Sequence, residues 1–189
     1  MDNIKYFVLI VLLIGSCNLY AGESKVILGL EVGSSSLDLD TGLSADFDSN
    51  QFDVGESSGT LLAGYRWQNN VQIEANYSRS GSGFLKLGLG DSYQATEGKL
   101  LVGYSFELTK YLRIIPLLGV SRWDLALQEI DFLNLDSQEN IDLDGADFSY
   151  KVNVEFPISK RFVLGVSYAS TNIDVGSINL TQVSFKYEF

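Results

Sequence analysis

The chain has 189 residues, 46% hydrophobic and 12% aromatic, with 18 glycines and two prolines, which suits one folded domain and is too apolar for a disordered tail. Thirteen basic residues against 24 acidic ones leave a net charge of −11, the wrong sign for gripping a phosphate backbone, so nucleic acid is not an expected partner. There is no histidine and a single cysteine, Cys17, which removes disulfide frameworks, zinc sites built on imidazole or thiolate, serine–histidine triads and cysteine nucleophiles; no cofactor is expected.

Residues 1–21 open with Lys5, continue through an apolar run over residues 6–14 and close on small residues that include Gly15, Ser16 and Ala21. That order predicts a secretory signal peptide, since about nine apolar residues fall short of the roughly 20 that span a bilayer as a helix. Two exits compete. Cleavage after Ala21 is favoured, leaving 22–189 as one mature domain, while Ile14-Gly15-Ser16-Cys17 resembles a bacterial lipobox in which Cys17 would be lipidated. Either exit places the protein outside the cytoplasm.

From residue 22 onward the apolar pattern has period two, and no window of 11 holds a helical spacing. The first strand sets Val26, Leu28, Leu30 and Val32 against Lys25, Ile27, Gly29 and Glu31. The second sets Leu61, Ala63, Tyr65 and Trp67 against Thr60, Leu62, Gly64 and Arg66. Val71-Gln72-Ile73-Glu74-Ala75-Asn76-Tyr77-Ser78 alternates without a break. A fourth strand carries Leu100, Val102, Tyr104 and Phe106 opposite Lys99, Leu101, Gly103, Ser105 and Glu107, and a fifth carries Leu112, Ile114, Pro116, Leu118 and Val120 opposite Arg113, Leu117, Gly119 and Ser121. Three more follow: Phe148 to Phe156 opposite Lys151 and Glu155, Phe162 to Tyr168 opposite Arg161 and Gly165, and Val183, Phe185, Tyr187 and Phe189 opposite Gln182, Ser184, Lys186 and Glu188. Eight strands are predicted. Short turns at 68–70, 108–110 and 157–160 alternate with long loops at roughly 34–58, 79–92, 122–145 and 170–177, the plan of a transmembrane β-barrel.

The facing of such a barrel follows from what an eight-stranded lumen can hold. The wet face carries Glu31, Arg66, Glu74, Lys99, Glu107, Arg113, Lys151, Glu155, Lys186 and Glu188, balanced in sign and set among glycines, which suits a narrow interior of paired charges. The oily face carries an aromatic girdle of Trp67, Phe106, Tyr111, Phe156, Phe162 and Tyr187 at the turn end and Tyr77, Phe148, Tyr150 and Tyr168, with Tyr93, at the loop end. Two belts of rings bracketing an aliphatic band match the two interfaces of a bilayer. The expected fold is all-β, an eight-stranded antiparallel up-and-down transmembrane β-barrel whose first and last strands pair, because lipid tolerates no open edge. A secreted or periplasmic lipocalin-like barrel binding a small apolar ligand is the alternative.

The terminal run Val183-Ser184-Phe185-Lys186-Tyr187-Glu188-Phe189, aromatic at alternate positions and ending in phenylalanine, resembles the signal read by the outer-membrane barrel assembly machinery. Leu62-Ala63-Gly64-Tyr65-Arg66-Trp67, residues 71–78 and Pro116-Leu117-Leu118-Gly119-Val120-Ser121 are similar to segments of the small eight-stranded outer-membrane barrels of Gram-negative bacteria, the outer-membrane protein A and X group, also called porin family. The resemblance covers residues 25–189. It implies an outer-membrane location, lipid and lipopolysaccharide as surroundings, the assembly machinery as a partner during biogenesis, a monomer and no peptidoglycan-binding domain.

Enzymes on such barrels use a histidine as base, as that resemblance has it, and this chain has none, so no enzyme is expected. Acids crowd the first loop (Asp38, Asp40, Asp46, Asp48, Asp53) and the third (Asp124, Glu129, Asp131, Asp136, Glu139, Asp142, Asp144); Asp142-Leu143-Asp144-Gly145 lacks the spacing and terminal glutamate of a calcium loop, and a solvated acidic surface is the expectation. Apolar Phe47, Phe52, Leu125, Leu127, Ile130, Phe132, Leu133 and Leu135 suggest strands that continue past the membrane and loops that meet a host or surface ligand. The expected role is structural or in surface interaction, covering adhesion and membrane integrity; a minor channel is a second alternative, with little conductance through so narrow a barrel.

Overall fold

The structure is a computed structural model that describes residues 24–39, 56–81, 92–128 and 140–189. The expected leader with Cys17, the loop acids Asp40, Asp46, Asp48, Asp53, Glu129, Asp131, Asp136 and Glu139, and the loop apolar residues Phe47, Phe52, Ile130, Phe132, Leu133 and Leu135 lie outside the described residues.

Period-two alternation becomes nine strands: β1 Lys25–Leu39, β2 Glu56–Arg66, β3 Val71–Gly81, β4 Ser92–Tyr104, β5 Phe106–Thr109, β6 Leu112–Gln128, β7 Asn140–Pro157, β8 Phe162–Ile173 and β9 Gly176–Glu188. Only Ser105 separates β4 from β5, and both pair with β6, so together they form one barrel strand and the wall has eight. The order β4-β3-β2-β1-β9-β8-β7-β6-β5 closes through the β4–β6 pairing. β1 and β9 pair from Ile27 opposite Glu188 to Leu39 opposite Gly176, joining the two ends of the chain. Closure gives each backbone donor and acceptor at membrane depth a partner, which hydrocarbon cannot supply.

The register fixes the shape. Following paired residues from Ile27 through Gly64, Glu74, Leu101, Gly119, Ser149, Thr171 and Ile178 leads back to β1 at Leu37, ten residues beyond the start. Such a stagger on eight strands tilts them by roughly 40° and leaves an interior that side chains fill.

One end carries both termini of the barrel and tight turns. At Asn70 the backbone enters the left-handed region (φ 64), which asparagine tolerates better than most residues, and the Ser105 N–H donates to its carbonyl at 2.8 Å, fastening this turn to the break between β4 and β5. At the other end the strands run well into the segments expected as loops: β1 reaches Leu39, β2 begins at Glu56, β6 reaches Gln128 and β7 begins at Asn140. The fourth expected loop, at 170–177, is corrected most: it is a tight turn through Asp174 and Val175 into Gly176, whose φ of 149° is open to glycine alone. Asp38, Asp124, Asp142 and Asp144, expected on loops, therefore sit on strands with exposed side chains.

Candidate functional site

Residues of one parity on each strand meet at the barrel axis, and in the half nearer the short turns they form one connected ionic network. Lys151 reaches Glu31 at 2.9 Å and Glu74 at 3.1 Å. Lys186 lies 2.8 Å from Glu155, 3.6 Å from Glu74 and 3.9 Å from Glu31. Arg66 and Arg113 share Glu188, at 2.9 and 2.6 Å, and Glu155, at 3.4 and 3.0 Å, while Lys25 at the rim closes on Glu188 at 2.7 Å. Neutral groups complete the shell. The Arg66 Nε donates to Gln72 Oε1 at 2.7 Å, and Gln72 Nε2 and Asn153 Nδ2 both donate to Glu74 Oε1, at 2.6 and 3.1 Å. Every charged member of this set except Lys25 is at most 5% exposed, a burial that ions tolerate only when paired and hydrogen-bonded as here.

The structure thus brings Glu31, Arg66, Glu74, Arg113, Lys151, Glu155, Lys186 and Glu188 together and places Lys99 higher in the lumen, 3.1 Å from Glu97. Glu107 is a correction. It belongs to β5, whose four residues are all exposed: Glu107 stands opposite Arg113 in the same register as β4, but at the last regular pair of the ladder, at the rim of the barrel. Glu97 takes its place among the buried acids, giving Glu31, Glu74, Glu97, Glu155 and Glu188 against Arg66, Lys99, Arg113, Lys151 and Lys186. Its signal was present in the sequence: Glu97 stands two residues from Lys99 and so on the same strand face.

Above the charges the lumen changes character. Leu37, Tyr93, Ala95, Trp123, Leu125, Ala169, Ile173, Ile178 and Leu180 form a buried apolar cluster inside the loop end, with Leu143 and Val175 packed against it. Tyr93 is a second correction: expected among the outward rings, it is 2% exposed and its hydroxyl donates to Ser35 Oγ at 2.9 Å. Tyr93, Ala95, Glu97 and Lys99 share one parity, and that parity faces in.

The outer face holds the aliphatic and aromatic surplus. Leu30, Leu61, Leu100, Val102, Leu118, Val120, Val152, Val166, Val183 and Phe185 are exposed there, between rings at both ends. Trp67, Phe106, Tyr111, Phe156 and Phe162 are exposed at the turn end and Phe148 and Tyr168 toward the loop end, with Tyr77, Tyr150 and Tyr187 half-buried. Rings touch along this surface: Phe162 and Tyr187 are edge-to-face at 5.1 Å, and Tyr187 and Phe189 at 4.6 Å. So much apolar surface on a closed barrel is stable only against hydrocarbon, which sets aside the lipocalin-like alternative.

The model of the family described as outer membrane protein beta-barrel domain matches residues 7–189. The chain belongs to this family. Its fold is that of small outer-membrane barrels: the attachment invasion locus protein Ail of Yersinia pestis aligns with a TM-score of 0.64 at 15% identity, covering 88% of this chain and 99% of Ail. Neisserial surface protein A aligns at 0.61 and 12% identity over 88% and 97% of the two chains. The N-terminal barrel domain of Pseudomonas aeruginosa OprF follows at 0.52 and 14% over 88% and 97%. A further Ail structure, in complex with the heparin analogue sucrose octasulfate, aligns at 0.62 and 15% over 88% and 99%. No curated protein matches the chain by sequence. Membership places the protein in the bacterial outer membrane, and in such barrels the short turns face the periplasm and the long loops the exterior.

The calcium-like run Asp142-Leu143-Asp144-Gly145 lies along β7 with its two acids pointing out, and among the described residues no group of three or more carboxylate, cysteine or histidine side chains is gathered as a metal site.

Proposed function

We propose that this outer-membrane barrel serves a structural and surface-interaction role, in attachment and membrane integrity, and is neither an enzyme nor a channel. The observation that carries the reading is the filled lumen. Ion pairs occupy its periplasmic half and the apolar cluster around Trp123 its outer half, leaving contact chemistry to the external rim and loops. Among the described residues of the exposed rim, Asp38, Asp124, Asp142, Asp144 and Asp174 outnumber Arg79 and Arg122, which favours cationic or neutral partners over a polyanion of the kind bound by Ail.

Residues 1–21 are the export leader in this reading, residues 22–189 the mature domain, lipopolysaccharide its outer-leaflet neighbour, and the assembly machinery its partner through Val183, Phe185, Tyr187 and Phe189. The barrel acts as a monomer. A strain lacking the protein, compared with its parent for surface attachment and detergent sensitivity, tests the role; equal attachment and equal resistance would overturn it. Discrete conductance steps in planar bilayers would replace it with the channel reading.

A further inference from the structure

The two rims of the barrel carry opposite charge. At the periplasmic rim Lys110, Lys160 and Arg161 are exposed on the short turns, and Lys25 stands at the start of β1. The acids there are Glu107, exposed on β5, Glu188, buried and already held by Arg66, Arg113 and Lys25, and the carboxylate that ends the sequence at Phe189. Among the described residues no carboxylate forms an ion pair with Lys110, Lys160 or Arg161. At the external rim the described aspartates outnumber Arg79 and Arg122.

Arg161 is held against the outer wall. Ser159 Oγ accepts from the N–H groups of Arg161 at 3.2 Å and Phe162 at 3.0 Å, and the Arg161 carbonyl accepts from the Glu188 N–H at 2.7 Å, so the turn between β7 and β8 is tied to itself and to β9. Arg161 Nη1 donates to the Tyr187 hydroxyl at 3.1 Å. Tyr187 stands directly opposite Phe162, and its ring meets those of Phe162 and Phe189 on the face turned to hydrocarbon. The guanidinium therefore lies on the lipid side of the wall, at the aromatic belt, and not over the mouth of the barrel. Its other N–H groups have no partner among the described residues, and Lys160 is exposed next to it. Lys110, 4.7 Å over the Tyr111 ring, repeats the pairing of a cation with a belt ring on the turn before β6, the strand beside β7.

Unpaired cations at this depth stand where the periplasmic leaflet presents its phosphates. A guanidinium grips a phosphate through parallel N–H···O bonds, and an ammonium beside it adds charge. A zwitterionic head group brings its own ammonium, which Lys160 would repel, so the site favours a lipid of net negative charge. A soluble anion or an acidic wall peptide would be better met by cations standing clear of the bilayer, and Tyr187 keeps Arg161 from doing so. We infer that Lys160 and Arg161, with Tyr187 as support, form a site for the phosphodiester head group of an anionic phospholipid of the periplasmic leaflet, whose acyl chains lie along Phe162 and Phe189. The inference rests on the orientation of the barrel and is independent of what the external loops bind.

The test places the full chain in mixed micelles with equal amounts of phosphatidylglycerol and phosphatidylcholine and counts the lipids it retains by native mass spectrometry. Phosphatidylglycerol should be retained over phosphatidylcholine by about fivefold or more, and Lys160→Gln with Arg161→Gln should abolish that preference. Arg122→Gln, at the external rim, should leave it unchanged. Equal retention of the two lipids by the wild type, an undiminished preference in the double variant, or its loss with Arg122→Gln would each overturn the proposal. Displacement of the lipid by millimolar glycerol phosphate would reveal a site for free phosphate, and displacement by a soluble acidic peptidoglycan stem peptide a site for the cell wall; either result overturns the lipid assignment. Retained heat-modifiability of the double variant on unboiled gels shows that its barrel is intact.

Discussion

The indole of Trp123 lies against Gly145, its partner across the β6–β7 ladder, so closely that a Cβ at Gly145 would stand 2.6 Å from Cζ2 and 2.9 Å from Cε2. Trp123 Nε1 donates to Asp147 Oδ2 at 2.8 Å, and the ring itself is buried in the apolar cluster of the outer lumen. The ring holds its place across the barrel because residue 145 has no side chain.

Gly145→Val should push the indole away from the β7 wall and loosen that cluster, costing about 1–3 kcal/mol as over-packing does. Urea unfolding in lipid vesicles measures the loss, and Trp123 fluorescence, read in a Trp67→Phe background, should shift to the red. An unchanged emission maximum would mean that the ring can be accommodated elsewhere.

Lys151 sits between Glu31 and Glu74, and its removal leaves two carboxylates competing for Lys186. Lys151→Met is expected to cost about 3–5 kcal/mol, the loss typical of a buried ion stripped of its partner. Adding Glu31→Gln should recover part of it. Additive losses in the double variant would show that Lys151 and Glu31 are not energetically coupled.

Val102 and Val152 point outward in the middle of the aliphatic band and are exposed on the barrel surface. Arginine at either position should cost about 2–4 kcal/mol in a bilayer. Equilibrium unfolding from vesicles checks it, and an effect below a few tenths of a kcal/mol would place these positions outside the hydrocarbon.

Phe189 donates its N–H to the Val26 carbonyl at 2.9 Å and packs its ring on Tyr187, so the last residue ties β9 to the start of β1. If the terminal run is the assembly signal, deleting Phe189 should lower the amount reaching the outer membrane several-fold while refolding of purified protein into vesicles stays close to wild type. Equal losses in both assays would assign Phe189 a purely structural part.

Strand number and strand facing were legible because each depends on parity alone. Val71 to Ser78 alternates without a break, and β3 places Gln72, Glu74, Asn76 and Ser78 inside as that parity requires. Parity carried back from Lys99 places Glu97 and Tyr93 inside as well, whereas residue type alone, a ring near a strand end, points Tyr93 to the outer belt. What alternation cannot show is where a ladder stops. The exposure of Glu107 depends on the ladder losing its register between Glu107 and Thr109, and the length of β7 beyond β8 depends on where the partner strand turns at Asp174. The apolar cluster was hidden for another reason: its members come from β1, β4, β6, β8 and β9 and meet only when the ten-residue stagger brings Leu37 level with Ile178.

The five acids and five bases enclosed in the lumen cancel, so the buried network contributes nothing to the chain's net charge of −11. Neighbouring copies crowded into one leaflet will therefore repel one another within about a Debye length, roughly 8 Å in physiological salt. That repulsion spaces the molecules laterally and weakens as ionic strength rises.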